Sequence, residues 1–106
     1  MGRRLRHRHR RRAPKLVALT NDVLFGDVWD RPGLSARDRS LVTVTTLAAL
    51  YRGEQLDHHL GVALDNGLGD EELSEATTHL AFYAGRPNAM SAITRLKKIA
   101  DERDAA

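Results

Sequence analysis

The chain has no cysteine among its 106 residues, which excludes disulfides, thiolate-bound metals and cysteine-based redox or nucleophilic chemistry. No apolar run approaches the roughly 18 to 20 residues that a membrane-spanning helix needs. No stretch shows the sustained alternation of apolar and polar residues that is typical of strands, and no segment is repeated. These absences favour one small all-α domain with no membrane partner, and they are compatible with a cytoplasmic location.

Positive charge is concentrated at the amino end of the sequence. Seven of the 17 basic residues are arginines within residues 1–12, whereas all 14 acidic residues lie beyond them. A block of like charge repels itself, so residues 1–13 are predicted to form a disordered tail and residues 14–106 the folded domain. Nucleic-acid binding is expected only through residues 3–12. A non-functional extension is the favoured interpretation, because no aromatic residue interleaves the arginines and the folded part is mildly acidic.

Apolar periodicity predicts an all-α fold, a compact bundle of about five helices. The second helix is apolar nearly all round and is therefore predicted to be buried nearly all round. Trp29, in a loop of residues 25–34, is predicted to pack on the core or on a neighbouring subunit, with stacking on a ligand as the alternative. Met90 is assigned to the buried stripe of the last helix. In chain order, the predicted helices span residues 14–25, 36–51, 54–66, 70–84 and 86–100.

Residues 54–67, EQLDHHLGVALDNG, carry the most reactive-looking side chains of the chain. Helical spacing predicts that His59 lies at the edge of a buried apolar face, and that Gly67 ends the helix in a left-handed conformation. The side chain of His58 is predicted to diverge from that of His59. No histidine pair has the spacing of metal ligands, so no metal site is predicted. The buried face comprises Leu56, Leu60, Ala63 and Leu64.

Arg39 lies near the start of the second predicted helix, where the helix dipole does not favour a cation. Two interpretations are equally open. In the first, the guanidinium pairs with a nearby carboxylate, that of Asp27, Asp30 or Asp38. In the second, it faces a pocket and binds an anionic substrate.

Three blocks of sequence resemble the carboxymuconolactone decarboxylase family in their order and spacing, over about residues 21–100. They are FGDVWDRPGLSARDRSLVTVTTLAAL, EQLDHHLGVALDNGL and EELSEATTHLAFYAGRPNAMSA. The resemblance implies an all-helical, AhpD-like domain that assembles into homo-oligomers, typically trimers or hexamers. The family also includes alkylhydroperoxidases, whose paired cysteines would fall on Arg52 and Gln55, so the resemblance brings no peroxidase thiol relay to this chain.

The resemblance also implies a decarboxylation that needs no cofactor, acting on a small carboxylated lactone of the γ-carboxymuconolactone type. The family histidine falls on His59, which would donate and accept the proton. Glu54 or Gln55 would orient its ring.

Two further residues are carried over as substrate-binding: Arg39 would hold the substrate carboxylate, and Tyr83 would donate to the oxyanion. Trp29 is added as a substrate-binding candidate through stacking of its ring on the ligand. Three hypotheses therefore stand: a cofactor-free decarboxylase, a non-catalytic oligomeric or small-ligand-binding member of the family, and a nucleic-acid-associated protein acting through its tail.

Overall fold

The computed structural model describes residues 11–105, which form five α-helices and no strand. The all-α prediction is confirmed for these residues, whereas most of the predicted tail, residues 1–10, lies outside them. Across the described range no helix combines the length and apolarity that crossing a membrane requires. The helices are α1 (Pro14–Leu19), α2 (Ala36–Ala49), α3 (Gly53–Asp65), α4 (Asp70–Ala84) and α5 (Arg86–Ala105).

The chain divides into two compact units, Met1–Ala36 and Arg37–Ala106, and the first unit contains α1, a π-helical segment and a 3-10 turn. The first predicted helix does end before Gly26, but its second half, Thr20–Phe25, is π-helical. The predicted loop of residues 25–34 contains a 3-10 turn, Val28–Asp30. This turn holds Trp29, which is buried and whose ring lies 6.4 Å from that of Phe25.

The second unit has a core made only of aliphatic side chains. In it, α5 packs against both α3 and α4. The predicted buried face of α3 is confirmed, with Leu64 half-buried against the core. The unit's three aromatic side chains, by contrast, are all exposed. The core comprises Val44, Ala48, Leu56, Leu60, Ala63, Leu68, Leu73, Leu80, Ala89, Ala92 and Leu96.

Two burial predictions are wrong. The α2 helix is buried along one stripe only, Ser40, Val44 and Ala48, and Val42 on another face is 56% exposed. Its apolar composition misled because a helix can bury fully only where neighbours surround it. Met90, assigned to the interior, is 47% exposed, and Ala92 takes its place in the core.

The start of α4 is stabilised by a capping contact. Asp70 is the first residue of the helix, and Gly69 precedes it in extended conformation as the capping position. The backbone N–H of Gly69 donates to Glu72 Oε1 at 3.0 Å. This contact is one half of a capping box, in which the side chain three residues into the helix reaches back to the cap.

The α2 and α3 helices end in the same hydrogen-bond pattern. At the end of α3, the N–H of Leu68 donates to the carbonyl of Ala63 (3.0 Å) and the N–H of Gly67 to that of Leu64 (3.2 Å). These two bonds define a Schellman motif, which needs a left-handed residue. Gly67 supplies it with a φ of +100°, which confirms the predicted glycine stop.

At the end of α2, the N–H of Arg52 donates to the carbonyl of Leu47 (2.9 Å) and the N–H of Tyr51 to that of Ala48 (3.2 Å). The left-handed residue here is Tyr51, with a φ of +59°, and among residues 11–105 it is the only non-glycine with positive φ. A left-handed conformation brings the Cβ of an L-residue close to the following carbonyl, at a cost of roughly 1–2 kcal/mol.

Candidate active site

His59 lies in the middle of α3 and is half-buried, at the edge of the face that carries the buried Leu56 and Leu60. Its predicted position is therefore confirmed. Its Nδ1 atom is shielded from solvent. The prediction that the neighbouring histidine diverges is wrong: the rings of His58 and His59 lie 5.0 Å apart in an edge-to-face arrangement, with an angle of 80°. The outer ring, that of His58, is exposed.

Glu54 and Gln55 lie in the first turn of α3, and both are exposed. Gln55 is one helical turn before His59, so their side chains emerge from neighbouring positions on the helix surface. Glu54 is instead one turn before His58. The orienting roles assigned to these two residues remain predictions.

Two ion pairs join α3 to α5, one on either side of His59 in the sequence. In the first, Arg95 Nη1 donates to Asp57 Oδ2 at 2.6 Å. The guanidinium lies against the backbone of Gly53, where a Cβ atom would come within 2.2 Å of Arg95 Nη2. Any side chain at position 53 would therefore displace this arginine.

The second ion pair repeats the first, eight residues further along both helices. Arg103 Nη1 donates to Asp65 Oδ1 and Nη2 to the carbonyl of Gly61, both at 2.8 Å. A Cβ on Gly61 would lie 3.0 Å from Arg103 Nη2. The sequence signal for these contacts has two parts. In α3, a glycine is followed four residues later by an aspartate, and the same pair recurs eight residues further along. In α5, two arginines also lie eight residues apart. Sequence reasoning missed it.

Arg39 lies in the second turn of α2 and is half-buried, with its Nε atom shielded from solvent. The next residue, Ser40, is buried, and its hydroxyl accepts a hydrogen bond from Asn66 Nδ2 at 2.9 Å. Asn66 is the C-cap of α3. A buried polar bond of this kind fixes the helix that carries Arg39 to the end of the helix that carries His59.

The two other predicted substrate-binding residues lie in very different surroundings. Tyr83 is 81% exposed near the end of α4, and its ring stacks on that of His79 at 5.2 Å. Trp29 is buried in the first unit beside Phe25. The binding roles of both residues remain predictions.

Described residues of the second unit form a small cavity and an open groove. The cavity encloses about 10 Å³ among apolar side chains together with Thr45 and Thr77, which is room for about one water molecule. The groove, of about 460 Å³, has an apolar floor that includes Leu41 and Leu68. His59 does not line either of them.

The rim of the groove is formed by Arg37 and by three glutamates of α4, one of which, Glu72, accepts a hydrogen bond from Arg37. A rim rich in carboxylates repels an anionic substrate. Within residues 11–105, no three His, Asp or Glu side chains are grouped so that they could hold a metal ion.

Comparison with known proteins gives a consistent result. Residues 14–98, which include His59, match the model of the carboxymuconolactone decarboxylase family. The 4-carboxymuconolactone decarboxylase of Acinetobacter baylyi is 40% identical over 75 residues, which cover 71% of this chain and 56% of the relative. The nitrosuccinic acid decarboxylase npaB of Metarhizium robertsii is 34% identical over 80 residues, covering 76% and 56%. The chain thus spans little more than half the length of these relatives.

Proposed function

The chain belongs to the carboxymuconolactone decarboxylase family, and we propose that it is a cofactor-free carboxy-lyase acting on a small carboxylated lactone of the γ-carboxymuconolactone type. The observation that carries the proposal is the 40% identity over 75 residues to a relative named for that reaction. Since the match covers 56% of that relative, the activity is transferred to this chain as a proposal. A place in aromatic catabolism would follow from this substrate.

The reaction sets three requirements for the site. Loss of carbon dioxide beside an unsaturated lactone leaves a delocalised enolate, whose negative charge collects on the carbonyl oxygen. The site must hold the substrate carboxylate, stabilise the developing charge and return a proton to carbon. A single donor placed where charge develops contributes on the order of 3 kcal/mol, and general acid catalysis adds on the order of 10²–10⁴-fold.

We assign the proton transfer to His59. Imidazole changes protonation state near neutral pH, so it can both accept and donate a proton under ordinary conditions. The half-buried ring, with Nδ1 shielded from solvent, leaves Nε2 as the atom we assign to substrate. Gln55, one turn away, would orient the ring, and Glu54 is the alternative for that role.

We assign substrate binding to Arg39, Tyr83 and Trp29. The Arg39 guanidinium would hold the carboxylate through two parallel hydrogen bonds. The exposed Tyr83 hydroxyl would donate to the oxyanion. Trp29, whose side chain is buried in this structure, would provide an apolar contact.

A second candidate substrate class follows from the second relative, which is named for the decarboxylation of nitrosuccinic acid. A small open-chain dicarboxylate would make the same demands on Arg39 and His59. We further propose a homo-oligomer, a trimer or hexamer. The alternative to catalysis is a non-catalytic, ligand-binding member of the family.

The experiment compares carbon dioxide release from γ-carboxymuconolactone and from nitrosuccinate by the wild type, His59→Ala and His58→Ala. The adjacent exposed histidine is the matched control, since its removal leaves the proposed acid in place. We expect His59→Ala to lose about 100-fold or more of the rate, and His58→Ala to stay close to the wild type. A folded wild-type protein that releases no carbon dioxide from either compound would overturn the decarboxylase and favour the ligand-binding alternative.

A further inference from the structure

One end of the second unit gathers most of its exposed large apolar side chains. The amide of Asn88 donates to the carbonyls of Ala49 (3.0 Å) and Ala84 (3.1 Å), so it joins the carboxyl ends of α2 and α4 beside the start of α5. Five large apolar side chains next to these three points are exposed. We call this set the aromatic end: Leu50, Tyr51, Phe82, Tyr83 and Met90.

The placement of the aromatic rings is unusual for a folded domain. Aromatic side chains bury large areas and ordinarily dominate cores and interfaces. Here all three phenylalanine and tyrosine rings of residues 37–105 belong to the aromatic end, with Phe82 85%, Tyr83 81% and Tyr51 69% exposed. The core of the same unit is entirely aliphatic. The rings therefore contribute little to the interior of this unit and are available for contacts outside it.

The backbone of Tyr51 gives a second, independent reason to regard this end as functional. A left-handed conformation in a bulky residue is costly, and such strain persists mainly at functional positions. Glycine occupies the equivalent position at the end of α3. The residue that carries this strained backbone also carries a mostly exposed ring.

We propose that the aromatic end is the surface through which two copies of this chain pack on each other, and that burial of the Tyr51 ring there offsets its strained backbone. The three rings alone expose on the order of 450 Å², more than half of the roughly 800 Å² that each partner contributes to a standard interface. An apolar patch is complementary to itself, so a contact between identical copies needs no matching charges. The proposal concerns assembly and does not depend on the reaction.

The first test measures association of the full chain by sedimentation over a wide range of concentration. In Phe82→Glu, each copy places a charge in the apolar contact, and we expect the dissociation constant to rise by about 100-fold or more. Val42→Glu is the matched control, because Val42 is also an exposed apolar helix residue but lies outside the aromatic end. A monomeric wild type, or association lost in Val42→Glu and retained in Phe82→Glu, would overturn the proposal.

The second test separates the ring of Tyr51 from its backbone strain. Tyr51→Gly and Tyr51→Ala both remove the ring, and both should weaken association by about tenfold. Only glycine removes the strain, so the Tyr51→Gly monomer should melt at a higher temperature than the Tyr51→Ala monomer. Association that is unchanged in both variants, with melting temperatures that do not differ, would refute the role given to Tyr51. Tyr83 is not varied, because it also belongs to the proposed substrate site.

Discussion

The ends of α2 and α3 make the same pair of hydrogen bonds with opposite residue choices. At the end of α3 the left-handed residue is Gly67, and the next side chain, Leu68, is 3% exposed in the core. At the end of α2 it is Tyr51, and the next side chain, Arg52, is exposed. After α3 the next side chain is therefore buried in the core. After α2 the backbone is strained, and the side chains of Tyr51 and Arg52 are exposed. A residue that conflicts with local geometry is a better guide to function than one that agrees with it.

The same contrast extends along the two helices. The α3 helix uses Gly53 and Gly61 to admit the guanidinium groups of α5, so its surface is shaped to fit the rest of its own unit. The α2 helix buries one stripe and leaves apolar residues such as Val42 exposed. His59, the proposed proton carrier, is on the helix with the closer internal fit, as a site that needs fixed geometry requires.

The largest expected difference between the two ends comes from the residues that follow the left-handed positions. Leu68→Ala should destabilise the protein by about 3 kcal/mol, because it leaves a cavity in the core. Arg52→Ala should cost about 0.5 kcal/mol or less, as is usual for an exposed side chain. Denaturant unfolding at concentrations where the protein is monomeric measures both. Equal losses of unfolding free energy in Leu68→Ala and Arg52→Ala would contradict the conclusion that the chain turns into the core after α3 and stays exposed after α2.

At both left-handed positions, glycine should be more stable than alanine. Gly67→Ala should destabilise by about 1 kcal/mol, because alanine bears the steric penalty that glycine avoids. Tyr51→Gly should be more stable than Tyr51→Ala by about the same amount. The measurement is again the free energy of unfolding of the monomer. If Tyr51→Gly were less stable than Tyr51→Ala, the left-handed backbone of Tyr51 would not be strained, and the contrast with Gly67 would be contradicted.

A smaller effect is expected at the contacts between α3 and α5. A double-mutant cycle with Arg95→Met and Asp57→Asn should give a coupling of about 0.5–1 kcal/mol, since this ion pair is only partly exposed. The matched control is Lys97 with Asp101, one turn apart on the outer surface of α5. Asp101 raises the pKa of Lys97 through a hydrogen bond and its charge, yet full exposure should make this coupling the weaker of the two. A stronger coupling at the exposed pair would show that the α3–α5 contact has no special role.

The sequence predicted the features that depend on local patterns. The positions of the helices, the buried face of α3 and the stop at Gly67 all follow from periodicity and glycine chemistry, and the structure confirms them. The sequence could not predict the left-handed conformation of Tyr51, because tyrosine carries no local signal for that conformation. The Arg95 and Arg103 contacts were missed because each joins positions 38 residues apart, beyond the reach of any helical period.

Predictions for the site had a similar limit. The family resemblance assigned roles to His59 and Arg39, and the structure places both as half-buried residues on helices joined through Ser40 and Asn66. The sequence could not predict the contact between the rings of His58 and His59, because that contact depends on side-chain rotation and not on backbone position alone.

The most direct test of the account is the ratio of carbon dioxide release by His58→Ala to that by His59→Ala, with γ-carboxymuconolactone as substrate and equal concentrations of folded protein. Both variants remove one imidazole from the same turn of α3, and the equal concentrations of folded protein correct for any difference in stability between them. We expect the rate of His58→Ala to exceed that of His59→Ala by about 100-fold or more, because only His59 is assigned to proton transfer. A ratio near one, in a protein whose wild type is active, would contradict it and move the proton transfer to another residue.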